Sequence, residues 1–128
     1  MGLRAGLFHL ARTRPAGWLV RLGFRYMSFA IPVVRLRETP NLLAFHHPSP
    51  SYPLHVLLVP KRDYCSLLDV PAGDGEFLRD LFETVQLLVR DLHLEEGGYR
   101  LIANGGSYQD VPILHFHLVS DRQPQAKT

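Results

Sequence analysis

Apolar residues along this chain follow two periods, and the change between them falls near residue 33. From there "VVRLRE" (33–38) alternates apolar and charged positions, which puts successive side chains on opposite faces of a β-strand. Thr39, Pro40 and Asn41 supply turn chemistry, and "LLAFHH" (42–47) follows as a second strand, so the pair reads as a β-hairpin. Pro48, Pro50 and Pro53 forbid regular structure, after which "HVLLVP" (55–60) is apolar enough for a central strand and ends at its proline. The helical period then takes over: Phe77, Leu78, Leu81, Phe82, Val85, Leu88, Val89 and Leu92 recur at spacings of three and four. Asp74 and Gly75 open this helix, and Gly97 and Gly98 stop it. "YRLIAN" (99–104) and "ILHFHLVS" (113–120) are two more strands, joined by the loop "GGSYQDVP". Three strands, one long helix and two strands, with hairpin-like connections, predict an α+β fold. Its expected form is a five-stranded antiparallel sheet with helix on one side.

Before residue 33 the pattern is different. On a helix beginning near Pro15, Trp18, Arg21 and Arg25 share one stripe while Leu19, Leu22, Tyr26 and Met27 turn away from it, giving a basic amphipathic helix. At 128 residues the chain fits one domain with a real core. The expected organisation is a basic helical extension over 1–30, a domain over 31–123 and a polar tail over 124–128.

Charge sharpens that division. Residues 1–37 carry seven arginines and no acid, whereas residues 38–128 carry seven basic and twelve acidic side chains, or −5. Two readings of the N-terminal helix stay open: a surface helix packed on the domain, or contact with an anionic membrane surface or acidic partner. An arginine-rich, acid-free start also suits a targeting presequence, but nothing in it fixes a cleavage site. No specific nucleic-acid partner is expected. Cys65 is the single cysteine, so no intramolecular disulfide or thiolate zinc site can form, and a reducing, cytoplasmic setting is expected, peripheral to a membrane if the basic helix meets lipid. The most apolar early run, "FAIPVV", is too short for a membrane span.

The last strand carries the candidate chemistry. Alternation puts Ile113, His115 and His117 on one face and Phe116 and Leu118 on the other. Two neighbouring imidazoles admit three explanations: a core pair satisfied by hydrogen bonds, metal ligands completed by His55, His46, Asp110 or Asp121, or catalytic groups. The preceding "NGGS", Asn104 to Ser107, reads either as a plain turn or as backbone amides open to a phosphate oxygen. A neutral imidazole is a good nucleophile toward phosphorus near pH 7 and leaves readily once phosphorylated.

"LLAFHHPSPSYPLHVLLVPKR" followed by "YRLIANGGSYQDVPILHFHLVSDR" resembles the histidine triad (HIT) family of nucleotide hydrolases and transferases, over roughly residues 33–123. Three ordered signals carry the likeness: "H-x-x-x-VPK", an Asn ending a strand, and the terminal histidine strand. The resemblance implies His115 as the nucleophile toward the α-phosphorus of a nucleoside phosphate or dinucleotide, through a nucleotidyl-histidine intermediate of phosphoramidase-like chemistry. It implies His117 on the phosphate, His55 as a further catalytic histidine, Asn104 lining the phosphate pocket and Gln109 shortly before the histidine strand, with Phe45 and His47 toward the nucleoside, and the open amides of Gly105, Gly106 and Ser107 suit the same pocket. It also implies a homodimer and neither metal nor cofactor. Two positions depart from the family pattern. Ile113 stands at the first triad position and has no hydrogen-bonding side chain, and His47 stands where an aspartate usually meets the ribose. A non-catalytic nucleotide sensor or adaptor of the same fold is the alternative that Ile113 favours.

Overall fold

The structure, a computed structural model, describes residues 35–122. The expected basic helix, the boundary at residue 30 and the polar tail lie outside these residues. The described chain forms β1 (Arg35–Glu38), β2 (Leu42–His46), β3 (Leu54–Pro60), α1 (Gly75–Asp91), β4 (Arg100–Ala103) and β5 (Phe116–Ser120). The strands make one antiparallel sheet in the order β1-β2-β3-β5-β4, so β3 and β5 are central neighbours. The expected α+β architecture of five strands and one long helix is what the chain adopts.

The period-2 pattern decides which residues face the helix. Leu42, Ala44, Leu54, Val56, Leu58, Phe116 and Leu118 form one cluster with Phe77, Leu81, Val85, Leu88 and Val89 of α1. Burial of each such large side chain contributes about 1.5–3 kcal/mol. On the opposite face Leu43, Phe45, Leu57, Val59 and Ile113 make a second, smaller cluster. Every residue of β3 is buried, as a strand with both faces covered requires.

Polar side chains fix the helix against the sheet. Asp74 caps α1 by accepting from the Phe77 amide at 3.3 Å, and the same carboxylate accepts from Tyr64 Oη and Arg62 Nε. These donors, the tyrosine first, hold its carboxyl below the usual carboxylate range. Asn41 links Arg62 to Asp80, and Arg37 donates to the fully buried Thr84 at 3.0 Å, tying β1 to α1.

Two boundaries differ from the sequence expectation by more than one residue. The helix ends at Asp91, and His93 takes a left-handed φ of 55° before the glycines are reached. The last strand begins at Phe116 rather than Ile113. Leu114 instead donates its amide to the Tyr64 carbonyl, and the Ile113 carbonyl accepts from side chains, so this stretch is held by a loop and not by a ladder. Ile113, His115 and His117 nevertheless lie on the same side of the sheet, as the alternation implied.

Candidate functional site

The turn joining β2 and β3 contains Pro48, Pro50 and Pro53, none of which has a backbone N–H. The intervening serines therefore supply most of its amides. Ser49 donates to His47 Nδ1 at 2.9 Å and Ser51 donates to His55 Nδ1 at 3.1 Å. An imidazole whose Nδ1 accepts carries its proton on Nε2 when neutral. His55 Nε2 lies 2.8 Å from His117 Nδ1, so the network assigns His55 as donor and His117 Nδ1 as acceptor. The remaining proton of a neutral His117 is then on Nε2.

His115 has the opposite tautomer. Its Nδ1 lies 2.7 Å from the Ile113 carbonyl, which can only accept, so Nδ1 carries the proton and Nε2 keeps its lone pair. Burial pushes this imidazole below its ordinary value, against the opposing effects of the Ile113 hydrogen bond and the Asp110 charge. The ring is consequently neutral, and its Nε2 available, near pH 7.

The four imidazoles form a row. Ring centroids are 4.4 Å apart for His47 and His55, 5.1 Å for His55 and His117, and 4.9 Å for His117 and His115, the last pair edge to face. All four are buried, between 3% and 8% exposed. The row exists because β3 and β5 pair with His55 opposite Val119 and His117 opposite Leu57, which sets the two histidines on one face, diagonally adjacent. Tyr52 closes over His55 edge-on at 5.5 Å.

The other predicted positions fall in two places. Asn104, half-buried, directly follows β4, and Gly105, Gly106 and Ser107 are exposed in a single 3-10 turn over Gly106–Tyr108. Gly106 has φ 58°, a left-handed value that glycine reaches without strain. Gln109, expected among the ligand contacts, directs its amide nitrogen at three carbonyls, Cys65 at 2.6 Å, Val111 at 3.0 Å and Ile113 at 3.4 Å. Phe45 is 1% exposed and packs in the second apolar cluster with Ile113. Among the described residues no group of three His, Cys, Asp or Glu side chains is arranged to hold a metal ion.

Two parts of the arrangement were missed from sequence. The Ser49 and Ser51 amides had a signal, since alternating prolines leave those N–H groups outside any ladder. Asp110 was considered only as a metal ligand, and its action on the His115 ring had no sequence signal.

One helix against a five-stranded antiparallel sheet, with a row of buried imidazoles on the other face, defines an α+β domain of histidine-site type. Residues 28–124 match the HIT domain family, and the chain belongs to that family. An uncharacterized 13.2 kDa HIT-like protein of Azospirillum brasilense is 35% identical over 77% of this chain and 84% of its own length. Among solved structures, a HIT family hydrolase from Legionella pneumophila superposes with a TM-score of 0.71 at 34% identity, covering 80% of this chain and 93% of that one. A histidine triad nucleotide-binding protein from Candida albicans does so at 0.65 and 29% identity, covering 78% and 71%. Among the described residues no helix is long and apolar enough to cross a membrane.

Proposed function

We propose that this protein binds a nucleoside phosphate conjugate and cleaves it at the α-phosphorus through a nucleotidyl-His115 intermediate. The observation that carries this reading is the hydrogen-bond pattern, His115 Nδ1 at 2.7 Å from the Ile113 carbonyl and His117 Nδ1 at 2.8 Å from His55 Nε2, which assigns a lone pair to His115 Nε2 and a proton to Nε2 of a neutral His117. In the first step the His115 lone pair forms a bond to phosphorus while the bond to the leaving group breaks, and the leaving group departs with a proton drawn from solvent. In the second, water bonds to phosphorus, His115 departs with its electron pair, and the water returns one proton to solvent. His117 Nε2–H donates to a non-bridging oxygen, where charge shifts during both steps. His55 positions His117 and does not touch the phosphate. Asn104 and the amides of Gly105, Gly106 and Ser107 flank the anion, and His47 stands toward the nucleoside.

Membership of a family with a hydrolase and a nucleotide-binding relative supports the general class. The Ile113 carbonyl supports competence without a first triad histidine, because the backbone itself orients His115. A non-catalytic sensor is the second reading, favoured by the apolar packing of the Ile113 side chain. A homodimer and an acidic or membrane-surface contact through residues 1–30 are proposed with the family reading.

Rapid quenching of the protein with adenosine 5′-phosphoramidate, followed by peptide mass spectrometry, tests the enzyme reading. An adenylyl group on His115 is expected. Nucleotide binding with neither adduct nor released amine would leave the sensor.

A further inference from the structure

A groove of about 430 Å³ lies against the loop that delivers His115, lined by Ser66, Gly106, Gln109, Asp110 and Val111 among others. It shares Gln109 with the support of the Ile113 carbonyl, so it adjoins the nucleophile's own anchor. Asp110 is the one charged side chain lining it, and no basic side chain among the described residues forms an ion pair with that carboxylate. Asp69 accepts from the amides of Cys65 and Ser66, which also line the groove, adding a second negative charge. No basic side chain lines the groove, and Lys61 and Arg62, which precede its Cys65–Ser66 wall in the chain, pair with Glu38 and Asp74. Asp110 also acts on the His115 ring through its charge.

A carboxylate beside a site for a phosphate ester opposes the ligand's own charge unless the ligand brings a cation to meet it. We propose that this groove receives the leaving group, and that Asp110 selects one bearing an ammonium and disfavours an anionic one such as a polyphosphate. The inference rests on the enzyme reading above and narrows its substrate class. The nucleotide side is held by the histidine row and the glycine turn, while the departing amine extends between Asp110 and Ser66 with its cationic end on the carboxylate. An exposed pair of this kind is worth up to about 1 kcal/mol, or about 5-fold, and weakens with salt.

Three adenosine 5′-phosphoramidates whose leaving amines end in an ammonium, a methyl or a carboxylate group supply the test. For the wild type, kcat/KM should fall in that order, about 5-fold per step, and the spread should shrink in high salt. In Asp110→Asn the spread should collapse. A wild type indifferent to the terminal charge, or an Asp110→Asn variant that keeps the full spread, overturns the selection. If the wild type turns over none of the three and forms no adduct, the enzyme reading fails. The groove is then judged by amide chemical shifts of Gly106 and Val111 during titration with the ammonium conjugate. Shifts present in the wild type and absent in Asp110→Asn uphold the groove; their absence from the wild type rejects it.

Discussion

At Ile113 the side chain and the carbonyl do separate things. The side chain packs with Leu43, Phe45, Leu57 and Val59, while the carbonyl holds the proton of His115 Nδ1. A histidine introduced there would have to bury its ring nitrogens among those apolar groups. A pocket that accommodated such a ring freely would gain a hydrogen-bonding group and turn over faster. With this packing, Ile113→His should instead lower stability by about 1–3 kcal/mol, read from urea unfolding, and leave adduct formation no faster. His115 itself sets the pH dependence. Its folded-state value lies below the ordinary 6.5, so the ring stays neutral through that pH and, as the proposed nucleophile, should give kcat an acid limb at lower pH than a free imidazole would. For stability the sign is the same. The unfolded chain takes up the proton first, so stability is full above the unfolded value and declines as pH drops below it until the folded value is reached. A kcat profile whose acid limb lies above 6.5 would contradict the burial argument. The residue identities were legible, because alternation alone puts His115 and His117 on one face. The bond from His55 to His117 was not, since it depends on a strand pairing across 62 residues.

Elements carry the site through their connections more than through their regular parts. The loop after β4 is stitched by Gln109, whose amide nitrogen faces three carbonyls on two segments. Gln109→Ala would leave those carbonyls short of a donor and loosen the Ile113 anchor. Stability should fall by about 1–3 kcal/mol, and under the proposed mechanism kcat should drop by more than KM rises, because the orientation of His115 is lost while the proposed phosphate contacts remain. Equal changes in binding and turnover would assign Gln109 to the ligand. Strand and helix identities were readable from the period-2 and period-3.6 patterns, and the helix start from Asp74. The start of β5 was not. Its apolar run continues back to Ile113, but the partners of that stretch are Tyr64 and Gln109, which periodicity cannot reveal.

At the scale of the molecule the site is a property of the whole sheet. A ligand that binds only the assembled row must stabilise the fold by mass action. Adenosine monophosphate at about a hundred times its Kd should add about 2.7 kcal/mol to unfolding, and His115→Ala should keep most of that gain while forming no adduct at residue 115 and losing at least about 10³-fold in turnover. Calorimetric melting checks the first and quench mass spectrometry the second. A His115→Ala chain that loses the thermal shift as well would make that ring a binding group and not a nucleophile.

β5 is the last of the described strands along the chain, yet it lies between β3 and β4 in the sheet. During synthesis the earlier strands leave the ribosome with the central slot empty, and His55 waits without its partner until His117 emerges. Long-range pairings of this kind close late and slowly. A nascent or nicked chain lacking that strand is therefore left with open edges on both β3 and β4, two rows of backbone groups that any other strand could pair with.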